Sequence, residues 1–103
     1  MPVSKHVSQD GRHVRIVVTD SFDERAIKAF RNAFIETAQT CRAYEVDLSG
    51  VTRMISAALG ILIVLNQSAR GIDASVKIIN PSMPAKKNLE LAFLHRILDI
   101  CFI

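Results

Sequence analysis

Ser56 is the residue whose type and position most directly suggest chemistry, because it stands immediately before an apolar segment that begins Ala57-Ala58-Leu59. A serine ahead of a helix commonly caps it, accepting a hydrogen bond from a first-turn N–H that is worth about 1 kcal/mol. The same hydroxyl is also suited to accept a phosphate, which the free N–H groups and the positive end of the helix dipole would stabilise. Phosphate would add about two negative charges to a surface of small, apolar groups and so repel a docked partner. From the residues alone, both roles remain open.

The other residues that could take part in catalysis or metal binding show no spacing that predicts a site. The three histidines, His6, His13 and His95, form no i, i+4 pair, and the cysteines Cys41 and Cys101 lie far apart with no CxxC motif. The sequence also has no glycine-rich phosphate loop and no GxSxG serine. We therefore expect no metal, no cofactor, no disulfide and no enzymatic activity.

The composition and charge of the chain argue against some classes of binding partner. The chain has 103 residues, 13 of them basic and 10 acidic, with 50% hydrophobic and 6% aromatic content. Its charges are scattered, whereas nucleic-acid binders cluster basic residues and aromatics, so no nucleic-acid partner is expected. The N-terminus lacks the apolar region of a signal peptide, and the longest apolar run, Met54–Leu65, is far short of the roughly 20 residues that span a bilayer. These features predict one domain over residues 1–103, located in the cytoplasm, with no direct membrane insertion.

The periodicity of apolar residues predicts the elements that must position Ser56. Strands are predicted, in chain order, at Val3–Ser8, Val14–Thr19, Tyr44–Leu48 and Ser75–Ile79, with a possible short strand or turn at Leu98–Phe102. Helices are predicted from Arg25, over Ser56–Arg70 and from near Pro84. The order β-β-α-β-α-β-α predicts an α/β fold whose sheet is at least partly parallel and covered by helices.

Several details of the connections also follow from residue type. Asp10-Gly11 predicts a tight hairpin between the first two strands, and Asp20–Asp23 a polar loop with N-cap candidates at Ser21 and Asp23. Ser49-Gly50 is expected to end the third strand, and Gly71 to follow the second helix as its C′ residue. The last helix is expected to face Leu89, Ala92 and Phe93 inward. The second helix is apolar nearly all round, which predicts a partner on its uncovered side.

The segment Leu48–Thr52, followed by Ile55–Gly60, resembles the signature of STAS domains of the anti-sigma-factor-antagonist type. Weaker matches follow in the same order along the chain, at Phe22-Asp23, Gly71, Ile79–Ser82, Leu89–Phe93 and Arg96–Leu98. The resemblance covers most of the chain. It implies a STAS fold, with a mixed four- to five-stranded β-sheet packed with about three main helices.

The resemblance also implies a partner-switching role. In that scheme the unphosphorylated antagonist binds a serine kinase/anti-sigma factor with a histidine-kinase-like ATPase fold, which phosphorylates the motif serine, here Ser56. A PP2C-type phosphatase removes the phosphate. The chain is also similar to single-domain regulators of Gram-negative bacteria, including SypA-like proteins that control biofilm formation. It departs from the motif at Ile55, where the family usually has Asp.

These inferences predict a docking surface around the motif serine. Its expected members are Asp20, Ser21, Asp23, Ile55, Ser56, Ala57, Ala58 and Leu59. Two other classes of function stay open at this stage. One is a STAS accessory subunit of an ABC-type transporter, which needs no phosphorylation, and the other is a small-ligand or nucleotide-binding domain.

Overall fold

The computed structural model describes residues 2–103 as alternating strands and helices. In chain order, these are β1 (Val3–Val7), β2 (His13–Phe22), α1 (Glu24–Thr37), β3 (Ala43–Met54), α2 (Ser56–Gly71), β4 (Ser75–Ile79), α3 (Met83–Leu91) and β5 (Asp99–Cys101). A single 3-10 turn, Leu94–Arg96, connects α3 to β5. The predicted order of elements is confirmed, and the terminal strand is present.

The five strands form one mixed sheet in the order β1-β2-β3-β4-β5. Strands β1 and β2 form the predicted antiparallel hairpin, and Gly11 adopts a φ of 75° in its turn. The other three neighbouring pairs are parallel. This arrangement confirms the predicted α/β fold, because parallel neighbours require the crossover helices that the sequence pattern indicated.

The core lies on one face of the sheet. Alternate residues of β2, β3 and β4 point into it, namely Val14, Ile16, Val18, Tyr44, Val46, Leu48, Val76 and Ile78. All three helices contribute to the same cluster, with Phe30 from α1, Leu62 and Leu65 from α2, and Leu89 from α3. The fold is therefore a two-layer structure that buries one face of the sheet and one side of each helix.

The opposite face of the sheet carries a row of ionisable residues. In strand order these are His6, Arg15, Glu45, Lys77 and Asp99, each in register with the next. Arg15 Nη2 lies 3.0 Å from Glu45 Oε1, and both side chains are well exposed. Ionisable side chains across all five strands make this face unsuitable for an apolar layer, so it stays in contact with solvent.

Strands β2 and β3 continue well beyond the predicted ends, which corrects two expectations. Asp20–Phe22 was expected to be loop, and β3 was expected to end at Ser49-Gly50, but β2 and β3 pair as far as Phe22 and Met54. Twice along this pairing β3 advances one residue more than β2, which is the pattern of a β-bulge. The bulges break the alternation of apolar and polar residues, so a prediction based on that alternation places the strand ends too early.

Gly50 occupies one of these irregular positions for a steric reason. It lies in register with Thr19, and a Cβ atom at Gly50 would come within 2.9 Å of the Thr19 Cγ2 atom. At this separation of the two strands there is no room on β3 for a side chain at position 50. The bulged segment thus needs glycine for close approach, and its backbone there has no positive φ.

The ends of α2 and α3 also differ from expectation. Gly71 is the last helical residue of α2 and does not have the left-handed conformation of a C′ residue, which Asp73 adopts instead, with a φ of 57°. Helix α3 ends at Leu91, and Ala92 and Phe93 are exposed where inward positions were expected. Phe93 has a φ of 59°, and this left-handed turn redirects the chain so that Leu94 is buried in its place.

A buried pair of hydroxyl groups joins α1 to β3. The Tyr44 hydroxyl lies 2.9 Å from Thr37 Oγ1, and Thr37 also donates to the Ala33 carbonyl at 2.9 Å. The Tyr44 side chain is fully buried, and removal from solvent raises its pKa from 10.0 to about 12. Burial acts in this direction because it disfavours the charged phenolate.

Tyr44 gives a direct test of this packing because the chain has one tyrosine and no tryptophan. We expect the tyrosinate absorbance of the folded protein to rise with a midpoint near pH 12, as the raised pKa requires. In denaturant the same group should titrate near its ordinary pKa of about 10. A raised folded-state pKa stabilises the fold fully below pH 10, and that stabilisation is lost as the pH rises towards 12. A midpoint near 10 while circular dichroism still reports a folded chain would contradict the buried placement.

Candidate functional site

The N-termini of α1 and α2 are held side by side by the extended pairing of β2 with β3. Phe22 and Met54 are register partners at the end of this pairing, and the Ile55 N–H donates to the Phe22 carbonyl at 3.2 Å. The next residues, Asp23 and Ser56, lie at the starts of the two helices. Segments that are distant in the sequence therefore form one surface at the carboxyl ends of the parallel strands.

Helix α3 begins at the same edge of the sheet. The Ser82 N–H donates to the Leu48 carbonyl at 3.1 Å, and the Ser82 hydroxyl donates to the Val51 carbonyl at 2.6 Å. Both acceptors belong to β3. Three helix N-termini, each the positive end of a helix dipole, thus meet at this edge.

The three helices differ in how their first turns are capped. Asp23 accepts from the Ala26 N–H of α1 at 3.1 Å, as its predicted capping role requires, whereas Ser21 lies within β2 and does not cap. Ser82 accepts from the Ala85 N–H of α3 at 3.3 Å. The N-cap of α2 is Ile55, whose side chain makes no capping hydrogen bond.

The expectation that Ser56 is the N-cap of α2 is therefore wrong. Ser56 is the first helical residue, one position too late for its hydroxyl to serve as the N-cap. Its side chain is exposed, and the hydroxyl makes no hydrogen bond to any other group in residues 2–103. Ile55 occupies the cap position because its half-buried side chain packs against the core. The start of α2 is left with an exposed hydroxyl and no side-chain cap.

Small side chains surround Ser56 on the exposed side of α2. Ala57 and Gly60 are exposed, and Val64 continues the same side at helical spacing. A Cβ atom added at Gly60 would meet no atom within 4 Å. Within residues 2–103 this side of α2 is uncovered, as the nearly all-round apolar pattern of the helix suggested.

The other predicted docking residues separate into exposed and buried groups. Asp20 is exposed, and Asp23 is half-buried at the cap of α1. Ala58, in contrast, is fully buried, and the half-buried Leu59 packs against the core. The accessible part of the predicted surface is therefore centred on Asp20, Asp23, Ser56 and Ala57.

Two further exposed residues, Arg53 and Gly60, lie near Ser56 in the chain. Arg53 is exposed in the last part of β3, in register with the half-buried Ser21 of β2. Gly60 lies one turn after Ser56 on the same side of α2. The sequence alone indicates Gly60, because it lies four residues after Ser56 in a predicted helix. The sequence alone does not indicate Arg53, because its exposure depends on the extension of β3.

Two further observations concern residues 2–103 as a whole. No group of three or more histidine, cysteine, aspartate or glutamate side chains in this part of the chain is placed to hold a metal ion. None of its helices has the length and apolar character needed to cross a membrane.

Comparison with known proteins agrees with this geometry. The family model described as "Mlab, STAS domain" matches residues 6–99. The chain belongs to the STAS domain family. A STAS-domain containing protein of Pseudomonas aeruginosa (strain UCBPP-PA14) is 33% identical over 100 residues, covering 97% of this chain and 99% of that protein.

Solved structures share the STAS fold at low sequence identity. The anti-sigma factor antagonist SpoIIAA in its unphosphorylated form superposes with a TM-score of 0.84 at 13% identity, covering 96% of this chain and 87% of that one. The phosphorylated form of SpoIIAA, described as a Bacillus cell fate determinant, gives a TM-score of 0.77 at 13% identity over 96% and 90% of the two chains. A putative anti-sigma factor antagonist of Thermotoga maritima gives 0.83 at 16% identity over 98% and 86%. At these identities the likeness concerns the fold.

The capping pattern of this STAS domain predicts that two serine substitutions differ in their effect on stability. Ser82→Ala should lower the free energy of unfolding by about 1–2 kcal/mol, because it removes a helix cap and the bond to the Val51 carbonyl. Ser56→Ala should change it by less than about 0.5 kcal/mol, because the hydroxyl is exposed and unbonded. Urea unfolding followed by circular dichroism measures both. An equal loss of stability in the two variants would show that Ser56 does cap α2.

Proposed function

We propose that this STAS domain is an anti-sigma-factor-antagonist-like partner-switching regulator. Its partner in this proposal is a serine kinase/anti-sigma factor with a histidine-kinase-like ATPase fold. That kinase phosphorylates Ser56, and a PP2C-type phosphatase restores the free hydroxyl. The domain itself acts by binding and carries no catalytic step.

The exposed, unbonded hydroxyl of Ser56 at the uncapped start of α2 carries this proposal. The first N–H groups of a helix have no acceptor within the helix. At the start of α2 the Ile55 carbonyl accepts from the Ala58 N–H at 3.0 Å, but the Ile55 side chain supplies no acceptor for the other first-turn N–H groups. A phosphate on Ser56 is placed to accept from these groups and to interact with the positive end of the helix dipole. Such interactions stabilise an anion by about 0.3–1 kcal/mol at an exposed position, so modification is compatible with the fold.

The same phosphate acts against a docked partner. Around Ser56 the exposed side of α2 offers small groups, Ala57 and Gly60, which allow another protein to pack closely. A phosphoserine in such an interface adds bulk and about two negative charges that must lose their hydration. The expected result is release of the partner with little change in the domain, which is a switch by local electrostatics and packing.

The adjacent end of β2 extends the proposed docking surface. Asp23 lies beside the start of α2 because Phe22 and Met54 are paired, and Asp20 lies three residues earlier, in register with Val51. Asp23 also caps α1, so its substitution mixes a loss of stability with a loss of binding. Asp20 makes no such cap, which makes it the better residue for testing this part of the surface.

The phosphorylation step is testable on the protein purified from its native cells. Tandem mass spectrometry should locate phosphate on Ser56, and phosphatase treatment should remove it. With the kinase isolated by co-purification, Ser56→Ala should bind as the unmodified protein does and accept no phosphate. Ser56→Asp should bind at least about tenfold more weakly, because a charge at this position mimics part of the phosphate.

Two outcomes would contradict the proposal. One is equal affinity of the kinase for the unmodified protein and Ser56→Asp. The other is unmodified Ser56 in all growth conditions together with co-purification of an ABC-type ATPase, which would favour the transporter-subunit alternative.

Substitution of two glycines of α2 distinguishes an effect on partner binding from an effect on the stability of the helix. Neither Gly60 nor Gly71 has a neighbour that an added Cβ would meet within 4 Å, and neither has a positive φ. Alanine at either position should stabilise the helix by up to about 1 kcal/mol. Gly60→Ala should nevertheless weaken kinase binding several-fold, because its methyl group projects from the proposed docking surface one turn after Ser56.

Gly71→Ala is the matched control, since Gly71 lies at the far end of α2, about 22 Å from Ser56 by helix rise. Its binding should be unchanged. Thermal unfolding and a kinase titration on both variants provide the comparison. If Gly60→Ala binds like Gly71→Ala, the partner does not contact this side of the helix.

A further inference from the structure

Exposed apolar side chains are concentrated at one corner of the domain, in the last fifth of the chain. Of the nine large hydrophobic residues that are exposed within residues 2–103, six belong to this part, namely Met83, Leu91, Phe93, Ile97, Phe102 and Ile103. We call the surface formed by α3, the 3-10 turn and β5 the C-terminal corner. Lys86 Nζ lies 5.6 Å from the centre of the Phe102 ring, which places the end of the chain against α3.

Strand β5 forms one edge of the sheet, and its outer side is unpaired within residues 2–103. The Cys101 carbonyl accepts from the Asn80 N–H at 2.9 Å, and the Ile103 N–H donates to Asn80 Oδ1 at 2.8 Å, so these two residues point their backbone groups inward. In an extended strand the backbone groups of successive residues point to opposite sides. Those of Ile100 and Phe102 therefore point outward, away from β4.

The two edges of the sheet differ in how they are protected against pairing with another chain. The β1 edge presents Ser4-Lys5-His6, and Lys5 is ion-paired with Glu36 at 2.9 Å. Charged side chains of this kind are a common protection of an edge strand. On the β5 edge the outward backbone groups belong to apolar residues, namely the exposed Phe102 and Ile100, which packs against the core. That combination is typical of a strand that is completed by another strand.

We propose that the C-terminal corner is a homodimer interface, in which β5 pairs antiparallel with β5 of a second copy about a two-fold axis at Ile100. The Ile100 N–H of each copy donates to the Ile100 carbonyl of the other. The Phe102 N–H of each donates to the Leu98 carbonyl of the other. A two-fold interface of this kind needs only one surface, because each copy supplies both partners.

The sequence around Ile100 supports a second copy as the occupant. Residues 97–103 read Ile-Leu-Asp-Ile-Cys-Phe-Ile and are nearly symmetric in hydrophobic character about the central isoleucine. The two-fold pairing sets Leu98 opposite Phe102 and covers the Phe102 side chain, which is 62% exposed. Ile97 lies outside the paired segment, because its backbone is helical at the end of the 3-10 turn.

The same pairing is also electrostatically permissible. Asp99 is the only charged residue of the segment, and it faces Cys101 of the second copy instead of a like charge. Like charges placed directly opposite one another would oppose pairing. The segment is therefore self-complementary in both hydrophobicity and charge.

Sedimentation velocity of the full chain over a range of concentrations tests the interface. The unmodified protein should show a reversible monomer–dimer equilibrium. Phe102→Ser should raise the dimer Kd by about tenfold or more, as truncation of a central aromatic side chain does. Ile35→Ser is the matched control, because Ile35 of α1 is also 62% exposed but lies outside the corner, and its Kd should be unchanged.

Two further variants test the backbone pairing and its register. Ile100→Pro removes an N–H that points away from β4, so the monomer should keep its circular dichroism spectrum while dimerisation is lost. Asp99→Cys places a thiol opposite Cys101 of the second copy in a non-hydrogen-bonded pair, where Cα atoms about 4.5 Å apart permit a disulfide. Oxidation should give a covalent dimer on a non-reducing gel.

Several results would overturn the proposal. These are a monomer at every concentration, an equal Kd for Phe102→Ser and Ile35→Ser, or a dimer of Asp99→Cys that forms no disulfide. A monomer that sediments with vesicles of anionic phospholipid would assign the corner to a membrane surface and would equally exclude the dimer. None of these measurements depends on phosphorylation of Ser56.

Discussion

The continued pairing of β2 with β3 beyond Gly50 is the constraint on which the rest of the site depends. Because Gly50 lacks a side chain, the bulged part of β3 can lie directly against Thr19. The pairing then reaches Phe22 and Met54 and sets the starts of α1 and α2 next to each other. Leu48 and Val51 of β3 also accept the hydrogen bonds that hold Ser82 at the start of α3. One irregular strand thus positions three helix N-termini.

Ile55 shows how packing and capping compete at a single position. A polar residue there would satisfy a first-turn N–H of α2, whereas isoleucine places its side chain against the core. The structure thereby gains apolar contact and leaves the helix start without a side-chain partner. In the proposed switch this is an advantage, since phosphate on Ser56 meets free N–H groups without displacing a cap.

The two faces and two edges of the sheet have distinct surroundings. One face is covered by three helices, and the other carries the charged row from His6 to Asp99. The β1 edge is charged, while the β5 edge is apolar and has backbone groups that point outward. A partner at α2 and a second copy at β5 would use separate surfaces, because α2 packs on the core face and β5 presents its outer edge.

The sequence by itself determined the order of elements, the α/β class, the hairpin at Asp10-Gly11 and the cap at Asp23. These features depend on local periodicity and turn chemistry, which short stretches of sequence record directly. Only the tertiary structure decided that β3 continues to Met54, that Ile55 takes the cap position from Ser56, and that Ala58 and Leu94 are buried while Phe93 is exposed. Each of these outcomes depends on a neighbour distant in the chain. A bulge appears only against its partner strand, and a cap or a buried position is decided by what packs beside it.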